Sequence, residues 1–232
     1  MRGRPCVCAR ASLLAMALDI AIAGGHGQIG LRLGKLLAAR GDRVRGLIRN
    51  PDQADDLRAV GVEPVVCDLE RVDAAAVAEA VAGADAVVFA AGAGPGSGEA
   101  RKATMDRDGA VKLIEAARRE GIERYVIVSS RGADAGARGD GFAAYLRAKG
   151  EADEALRASG LAYTIVRPGR LTNEPGGGRV TTATGDGEIS RDDVAATLVA
   201  VLDAPAASAG ATFLLVAGET PIADAVAQLA DG

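Results

Sequence analysis

The residues best suited to chemistry are a tyrosine and a lysine in the middle of the chain. In FAAYLRAKGEAD, Tyr145 and Lys149 are four residues apart, a spacing that places two side chains on one face of a helix. A phenol has a pKa of about 10 and is a poor acid or base at neutral pH, but a neighbouring ammonium stabilises the phenolate. The pair is therefore predicted to donate or accept a proton. The alternative is an ordinary amphipathic helix with a surface lysine.

Two serines precede this pair. The segment YVIVSS ends at Ser129 and Ser130, at the expected carboxyl end of a strand. Ligands of open α/β sheets bind at that edge, so a hydroxyl there can orient a substrate carbonyl. We favour Ser130 for this role. The predicted catalytic residues are Ser130, Tyr145 and Lys149.

A glycine-rich segment near the start of the chain is suited to binding phosphate. In IAIAGGHGQIGLRLG, Gly24, Gly27 and Gly30 lie between a predicted strand and a predicted helix. This context is typical of a dinucleotide site, where the glycines allow a tight turn, close approach of a pyrophosphate and close helix packing. The helix N-terminus adds free N–H groups. His26 is the single histidine and is expected beside the phosphates or in solvent.

The end of the second predicted strand indicates which cofactor is bound. Sites for NAD carry an acid there that binds the ribose 2′-hydroxyl, whereas this strand ends with Arg49 and Asn50. A guanidinium is suited to a bidentate contact with a 2′-phosphate. The sequence therefore favours NADP(H) over NAD(H), although an exposed surface arginine is the alternative.

These residues are positioned by alternating strands and helices. Short apolar runs indicate strands that are covered on both faces. Strict alternation predicts a doubly wound parallel sheet of the α/β class in a single domain. The predicted strands are Ile20–Ala23, Val44–Ile48, Glu63–Val66, Ala86–Ala90, Tyr125–Ser129, Tyr163–Val166 and Thr212–Val216. The predicted helices are Gln28–Ala39, Pro51–Val60, Asp73–Val81, Arg101–Glu120, Phe142–Ser159, Arg191–Leu202 and Ile222–Leu229. Two Gly/Pro-rich segments, Ala90–Ala100 and Asn173–Glu188, are predicted site loops.

Composition narrows the classes of partner. The net charge of −4, with acids and bases interspersed, argues against a nucleic-acid footprint, and only 3% of residues are aromatic. The cysteines Cys6, Cys8 and Cys67 are sparse and odd in number, which favours free thiols in a reducing compartment and no metal site. No segment has the roughly 18–20 apolar residues of a membrane span. We therefore expect a cytoplasmic protein, a monomer or homodimer acting on a small molecule.

The N-terminal segment is interpreted as an extension. Residues 1–17 carry three arginines and a short apolar run, but no cleavage site separates that run from the first strand. The segment is expected to be disordered, with translation beginning at Met1 or Met16, and the domain is expected to span residues 18–232.

Taken together, the motifs resemble a known family. GGHGQIG, SS before YLRAK, YTIVRPGRLT and ISRDDVAATLV are similar to motifs of the atypical short-chain dehydrogenase/reductases, single-domain NAD(P)H-binding proteins related to sugar-epimerase-like and biliverdin/flavin reductase-like groups. The resemblance covers Leu18 to Gly232 and implies a Rossmann fold, with Asp68 and Leu69 near the adenine. The cofactor contacts that we expect are Gly24, His26, Gly27, Gln28, Ile29, Gly30, Arg49, Asn50, Asp68, Leu69, Ala90, Ala91, Gly92, Lys149, Pro168 and Gly169.

Three functions are compatible with these motifs. The first is an NADP(H)-dependent oxidoreductase acting on a small carbonyl or on a planar acceptor such as a quinone or flavin. The second is a redox sensor that binds NADP(H) without catalysis, and the third is an NAD-dependent epimerase or dehydratase. Arg49 counts against the third, and so does the short segment of about 60 residues after Gly169, in which we predict one strand and two helices.

Overall fold

The computed structural model of the protein describes residues 17–94, 98–183 and 185–231. The predicted N-terminal extension, with Cys6 and Cys8, lies outside these ranges apart from Ala17. Within them, no helix is both long enough and apolar enough to cross a bilayer.

The strands are short and mostly buried. Nine of them join one sheet in the order β11-β8-β10-β6-β5-β4-β1-β2-β3, and β7 pairs with β9 in a separate two-stranded sheet. The strands are β1 (Asp19–Ala23), β2 (Arg43–Ile48), β3 (Glu63–Val66), β4 (Ala86–Phe89), β5 (Arg124–Val128), β6 (Ala162–Pro168), β7 (Arg170–Thr172), β8 (Arg179–Thr181), β9 (Glu188–Ser190), β10 (Ala211–Ala217) and β11 (Thr220–Pro221).

Helices cover both faces of the large sheet. They are α1 (Gln28–Ala39), α2 (Ala54–Ala59), α3 (Ala74–Val81), α4 (Glu99–Arg101), α5 (Ala110–Arg119), α6 (Phe142–Arg157), α7 (Arg191–Asp203), α8 (Pro205–Ser208) and α9 (Ile222–Ala227). Side chains of β1 alternate between the faces: Ile20 and Ile22 join the core beneath α1 and α7, whereas Ala21 and Ala23 join the core beneath α3, α5 and α6. The predicted doubly wound Rossmann sheet is thereby confirmed.

Parallel pairing sets which ends of the strands meet. Neighbours from β3 through β10 all pair in parallel, so their carboxyl ends share one edge of the sheet. The exceptions lie at the opposite side, where β8 runs antiparallel to both β10 and β11. Because ligands bind outside the carboxyl ends of parallel strands, the loops after β1, β2, β4, β5 and β6 frame the candidate site.

The region after Gly169 differs from the prediction. We expected one strand there, but β7, β8, β9 and β11 are also present. Strand β8 lies inside Asn173–Glu188, which we predicted to be a loop. Each of these strands has only two or three residues, too few for alternation or an apolar run to appear in the sequence.

The predicted helix Arg101–Glu120 is not uniformly α-helical. A π-helical segment, Lys102–Gly109, lies between α4 and α5 and buries Met105, Asp106 and Gly109. A π-turn adds a residue to the helical repeat, and such segments are frequent at functional sites. Similarly, the predicted helix Pro51–Val60 begins with a 3₁₀ turn before α2.

Candidate functional site

The glycine-rich turn after β1 is fixed by close backbone contacts. Gly24 has a φ of +84°, and a Cβ there would lie 2.7 Å from the backbone of Ala91 after β4. A Cβ on Gly30 would lie 2.3 Å from the carbonyl oxygen of Gly24, so α1 packs directly on the turn. The tight turn and the close helix packing that we predicted for these two glycines are confirmed.

The start of α1 leaves hydrogen-bond donors free for an anion. Gly27 occupies the N-cap position and offers no side-chain cap, and the first turn carries no acidic residue. The N–H groups of the first turn, which includes Gln28 and Ile29, therefore remain without intrahelical partners, at the positive end of the helix dipole. This donor set fits the pyrophosphate of a dinucleotide.

The single histidine is partly exposed and contacts α2. His26 Nε2 lies 2.7 Å from Asp56 Oδ2 on α2. This contact holds the side chain at the rim of the glycine turn, where it lines the cavity described next.

A cavity of about 290 Å³ opens at the carboxyl edge of the sheet, above β1, β2 and β4. The predicted cofactor contacts that line it are Gly24, His26, Gly27, Arg49, Leu69, Ala90, Ala91 and Gly92. The lining residues that the sequence analysis missed are Leu47, Ile48, Gln53, Cys67, Ala93, Gly94, Arg101 and Met105. A mostly apolar cleft beside a glycine-rich anion cradle fits an adenine dinucleotide.

A second cavity of about 500 Å³ adjoins it at the end of β2 and is lined by Arg49, Asn50, Asp68, Glu70 and Arg71. The Arg49 side chain is 50% exposed, and its Nη1 lies 3.8 Å from Glu70 Oε2. The side-chain oxygen of Asn50 accepts a hydrogen bond from the N–H of Asp52 and so caps the following 3₁₀ turn. Arg49 stands at the predicted ribose position, but with a carboxylate beside it.

Of the two predicted catalytic residues on α6, Tyr145 and Lys149, the lysine forms a buried ion pair. The Lys149 side chain is only 4% exposed; its Nζ lies 3.1 Å from Asp106 Oδ1 in the π-helical segment and donates to the carbonyl of Val128 at 3.1 Å. Burial alone would lower the pKa of Lys149, but Asp106 and then Tyr145 raise it, and the net shift is upward. The Tyr145 ring stacks on Phe142 with a centroid separation of 5.8 Å.

The carboxylate of Asp106 also reaches the cofactor cavity. Its Oδ2 accepts a hydrogen bond from the N–H of Ala93, which lies in the loop after β4 and lines that cavity. The carboxylate is fully buried. One side chain thus joins the cavity wall to the lysine of α6.

The two serines after β5 have different environments. Ser129 is buried, and its hydroxyl donates to Asp153 Oδ2 at 2.9 Å. The same oxygen accepts two hydrogen bonds from Arg167, at 2.9 and 2.8 Å. Burial raises the pKa of Asp153 despite the opposing effects of Arg167 and Ser129. Ser130 is partly exposed and donates to the carbonyl of Arg131, and its role in orienting a substrate stays a prediction.

Pro168 and Gly169, which were expected to contact the cofactor, lie at the end of β6 and directly after it. Arg167 and Pro168 end β6, and Gly169 donates its N–H to the carbonyl of Leu215 on β10. A Cβ on Gly169 would lie 2.3 Å from the carbonyl oxygen of Gly187, so this glycine serves close packing. Pro168 and Gly169 do not line either cavity, and their contact with cofactor stays a prediction.

Three carboxylates of this region were missed from the sequence: Glu70, Asp106 and Asp153. Asp153 is four residues after Lys149, so its place on the same helical face could have been found by extending the Tyr145–Lys149 spacing one more turn. Asp106 and Glu70 reach the site through the π-helical segment and the loop after β3, for which the sequence has no periodic signal. No cluster of metal ligands forms among the described residues, and burial raises the pKa of the Cys67 thiol.

Comparison with known proteins agrees with this geometry. Residues 24–205 match the model of the NAD(P)H-binding family, so the fold and site define an NAD(P)H-binding Rossmann protein. The chain belongs to that family, and the predicted resemblance to atypical short-chain dehydrogenase/reductases is confirmed.

Individual relatives carry names from two reaction classes. The "Uncharacterized sugar epimerase YhfK" of Bacillus subtilis is 42% identical over 216 residues, covering 91% of this chain and 100% of that protein. The structure of a Bacillus halodurans protein classed with the NAD-dependent epimerases/dehydratases superposes with a TM-score of 0.85 and 37% identity, over 91% of this chain and 100% of that one. A Stigmatella aurantiaca ketoreductase of a 3-oxo-dihydroquinoline oxide is 32% identical over 165 residues, covering 63% of this chain and 48% of that protein.

Proposed function

We propose that the protein is an NADP(H)-dependent oxidoreductase acting on a small carbonyl or a planar acceptor. The observation that carries the proposal is the joining of cavity wall and α6 by Asp106, which contacts both Ala93 and Lys149. The predicted proton donor, Tyr145, shares the helical face of Lys149. The name of the ketoreductase relative supports carbonyl reduction.

Each residue has a defined role in this proposal. A bound reduced nicotinamide supplies the hydride, which no side chain of the protein can supply. Tyr145 donates its phenolic proton to the substrate oxygen, so that a carbonyl becomes an alcohol, and Ser130 orients that carbonyl. Lys149 Nζ donates to the carbonyl of Val128 and forms an ion pair with Asp106, and its proposed role is to hold a hydroxyl of the cofactor ribose.

Cofactor choice, partners and location complete the proposal. The preference for NADP(H) rests on Arg49 at the end of β2 in place of an acid. We expect a monomer or homodimer in the cytoplasm, acting on a small molecule without a nucleic-acid partner.

A two-stage experiment tests this function. Titration calorimetry with NADPH, NADP⁺, NADH and NAD⁺ comes first, followed by NADPH oxidation with aliphatic ketones, aromatic ketones, quinones and flavin. We expect micromolar NADPH binding and turnover with at least one acceptor class. Binding without any turnover would favour the redox sensor, for which this chain would only exchange NADPH and NADP⁺. NAD that remains bound through purification would favour the epimerase or dehydratase, the class named for two relatives.

A further inference from the structure

The carboxylate of Glu70 stands next to the guanidinium that is proposed to read the 2′-phosphate. Its Oε2 lies 3.8 Å from Arg49 Nη1, in the cavity at the end of β2. A phosphate that binds Arg49 would therefore lie within a few ångströms of the Glu70 carboxylate.

Glu70 is held in this position by other groups. Arg101 Nε donates to Oε2 at 3.2 Å, and the hydroxyl of Thr104 donates to Oε1 at 2.9 Å. Its backbone N–H donates to the side chain of Asp68 at 3.1 Å. The Glu70 side chain is 21% exposed, so the carboxylate is anchored rather than free to swing into solvent.

The charges that line this cavity are balanced. Arg49 and Arg71 contribute two positive charges, and Asp68 and Glu70 contribute two negative charges. Arg71 and Asp68 also face each other, with Nε and Oδ2 3.5 Å apart. A site devoted to a phosphate dianion would carry excess positive charge, whereas in this cavity the two acids offset the two arginines.

We propose that Glu70 determines cofactor discrimination at the ribose, by pairing with Arg49 and repelling a 2′-phosphate while tolerating a 2′-hydroxyl. The proposal rests on the role of Arg49 in the proposed function. A neutral hydroxyl experiences little of this repulsion, whereas a phosphate experiences a like-charge repulsion that Arg101, 3.2 Å from the same carboxylate oxygen, reduces but does not remove. The chain therefore binds NADPH less selectively than the presence of Arg49 alone would suggest, and the acid that limits it comes from the loop after β3.

Minimal ligands isolate this end of the site from the reaction. Calorimetry with adenosine 2′,5′-bisphosphate and with 5′-AMP compares a 2′-phosphate with a 2′-hydroxyl on the same adenosine. We expect Glu70→Gln to tighten binding of the bisphosphate by about tenfold and to change the affinity for 5′-AMP by less than about twofold. The amide retains the size of the side chain and can still accept from Thr104.

The matched control is Glu63→Gln. Glu63 begins β3 at the opposite edge of the sheet and also pairs with an arginine, Arg43, at 3.3 Å, but it does not line either cavity. The Glu63→Gln variant should bind the bisphosphate and 5′-AMP with unchanged affinities. If Glu70→Gln lowers the melting temperature, Glu70→Ser provides a second removal of the charge, with the same expected increase for the bisphosphate.

Two results would overturn the proposal. Unchanged affinities in the Glu70 variants would mean that its charge does not reach the phosphate. Weaker binding of 5′-AMP by the Glu70 variants than by the wild type would mean that Glu70 accepts a hydrogen bond from the ribose hydroxyl, as the acid of an NAD site does.

Arg49→Ala separates this proposal from the proposed function. If Arg49→Ala does not weaken binding of the bisphosphate, the proposed preference for NADP(H) fails. If Arg49→Ala weakens that binding while Glu70→Gln has no effect on it, only the inference about Glu70 fails. When Glu70→Gln is combined with Arg49→Ala, it should still increase the affinity for the bisphosphate, because the carboxylate repels the phosphate directly.

Discussion

The two proposed ends of the candidate site, one for the ribose and one for the reaction, each contain an ion pair, and the two pairs differ in solvent exposure. At the ribose end, Arg49 and Glu70 meet at 3.8 Å with a guanidinium that is half exposed, so water screens each charge. At the reaction end, Asp106 and Lys149 meet at 3.1 Å with almost no exposure. Exposed pairs contribute little to stability, whereas breaking a buried pair leaves a charge that the interior cannot solvate.

This difference indicates what each end can tolerate. At the proposed ribose end, charges can be exchanged with modest effects on folding. The reaction end links the π-helical segment, β5 and α6 through one ammonium, so a change there affects stability and geometry together. Three sets of substitutions test the contrast and a truncation follows them, in order from the largest expected effect to the smallest.

Removing the hydroxyl of Tyr145 should reduce turnover most strongly. Tyr145→Phe is expected to lower kcat by about 10²- to 10⁴-fold, because a positioned acid or base contributes that much, while NADPH binding is retained since Lys149 is intact. Steady-state assays over pH 5–9 should also show that the residual rate loses the pH dependence of the wild type. Tyr163→Phe, at the amino end of β6, is the control that should change neither. Full activity of Tyr145→Phe would favour an acceptor that needs no acid, such as a flavin, or a sensing role.

Breaking the buried ion pair should reduce stability substantially. Lys149→Met leaves the carboxylate of Asp106 buried without its cation and is expected to cost about 3–5 kcal/mol in the free energy of unfolding, measured by urea denaturation. Adding Asp106→Asn should recover most of that loss, because no uncompensated charge remains and an amide oxygen can still accept from Ala93. The exposed Lys35→Met serves as the control. A loss that persists in the double variant would mean that the lysine stabilises by packing rather than by charge. Both Lys149 variants should also bind NADPH more weakly.

Removing the arginine of the ribose end should affect one cofactor only. Arg49→Ala is expected to weaken NADPH binding by about 10- to 150-fold, the effect of losing a charge-assisted hydrogen bond of roughly 1.5–3 kcal/mol. The affinity for NADH should change very little. The unfolding free energy of the variant should fall by less than about 1 kcal/mol because the pair with Glu70 is exposed. Equal losses for both cofactors in calorimetry would show that Arg49 does not read the 2′-phosphate.

Deleting residues 1–15 should have the smallest effect. The sequence of this segment has no strand or helix pattern that joins it to the core. We expect the melting temperature and the dissociation constant for NADPH to match those of the full chain within error. A clear fall in melting temperature on truncation would mean that the segment packs against the domain.

The sequence by itself predicted the parallel sheet and the glycine turn. Apolar runs and their alternation with amphipathic segments are local signals, so β1 to β6, β10 and α1 were found with ends within about two residues. The roles of Gly24 and Gly30 also followed from local geometry, because a left-handed φ and a close helix start exclude a side chain wherever the chain folds this way.

Only the tertiary structure decided the electrostatics of the site. Asp106 meets Lys149 because a π-helical segment turns it inward, and Glu70 meets Arg49 because parallel pairing brings the ends of β2 and β3 together. The sequence already favoured Ser130 over Ser129, and the fold adds that Asp153 of α6 accepts a hydrogen bond from the Ser129 hydroxyl. Sequence spacing reports which side chains share an element, whereas the charge that a side chain experiences depends on elements far away in the chain. For that reason the sequence predicted only some of the residues that line the two cavities, and the fold determined how the charged residues among them are paired.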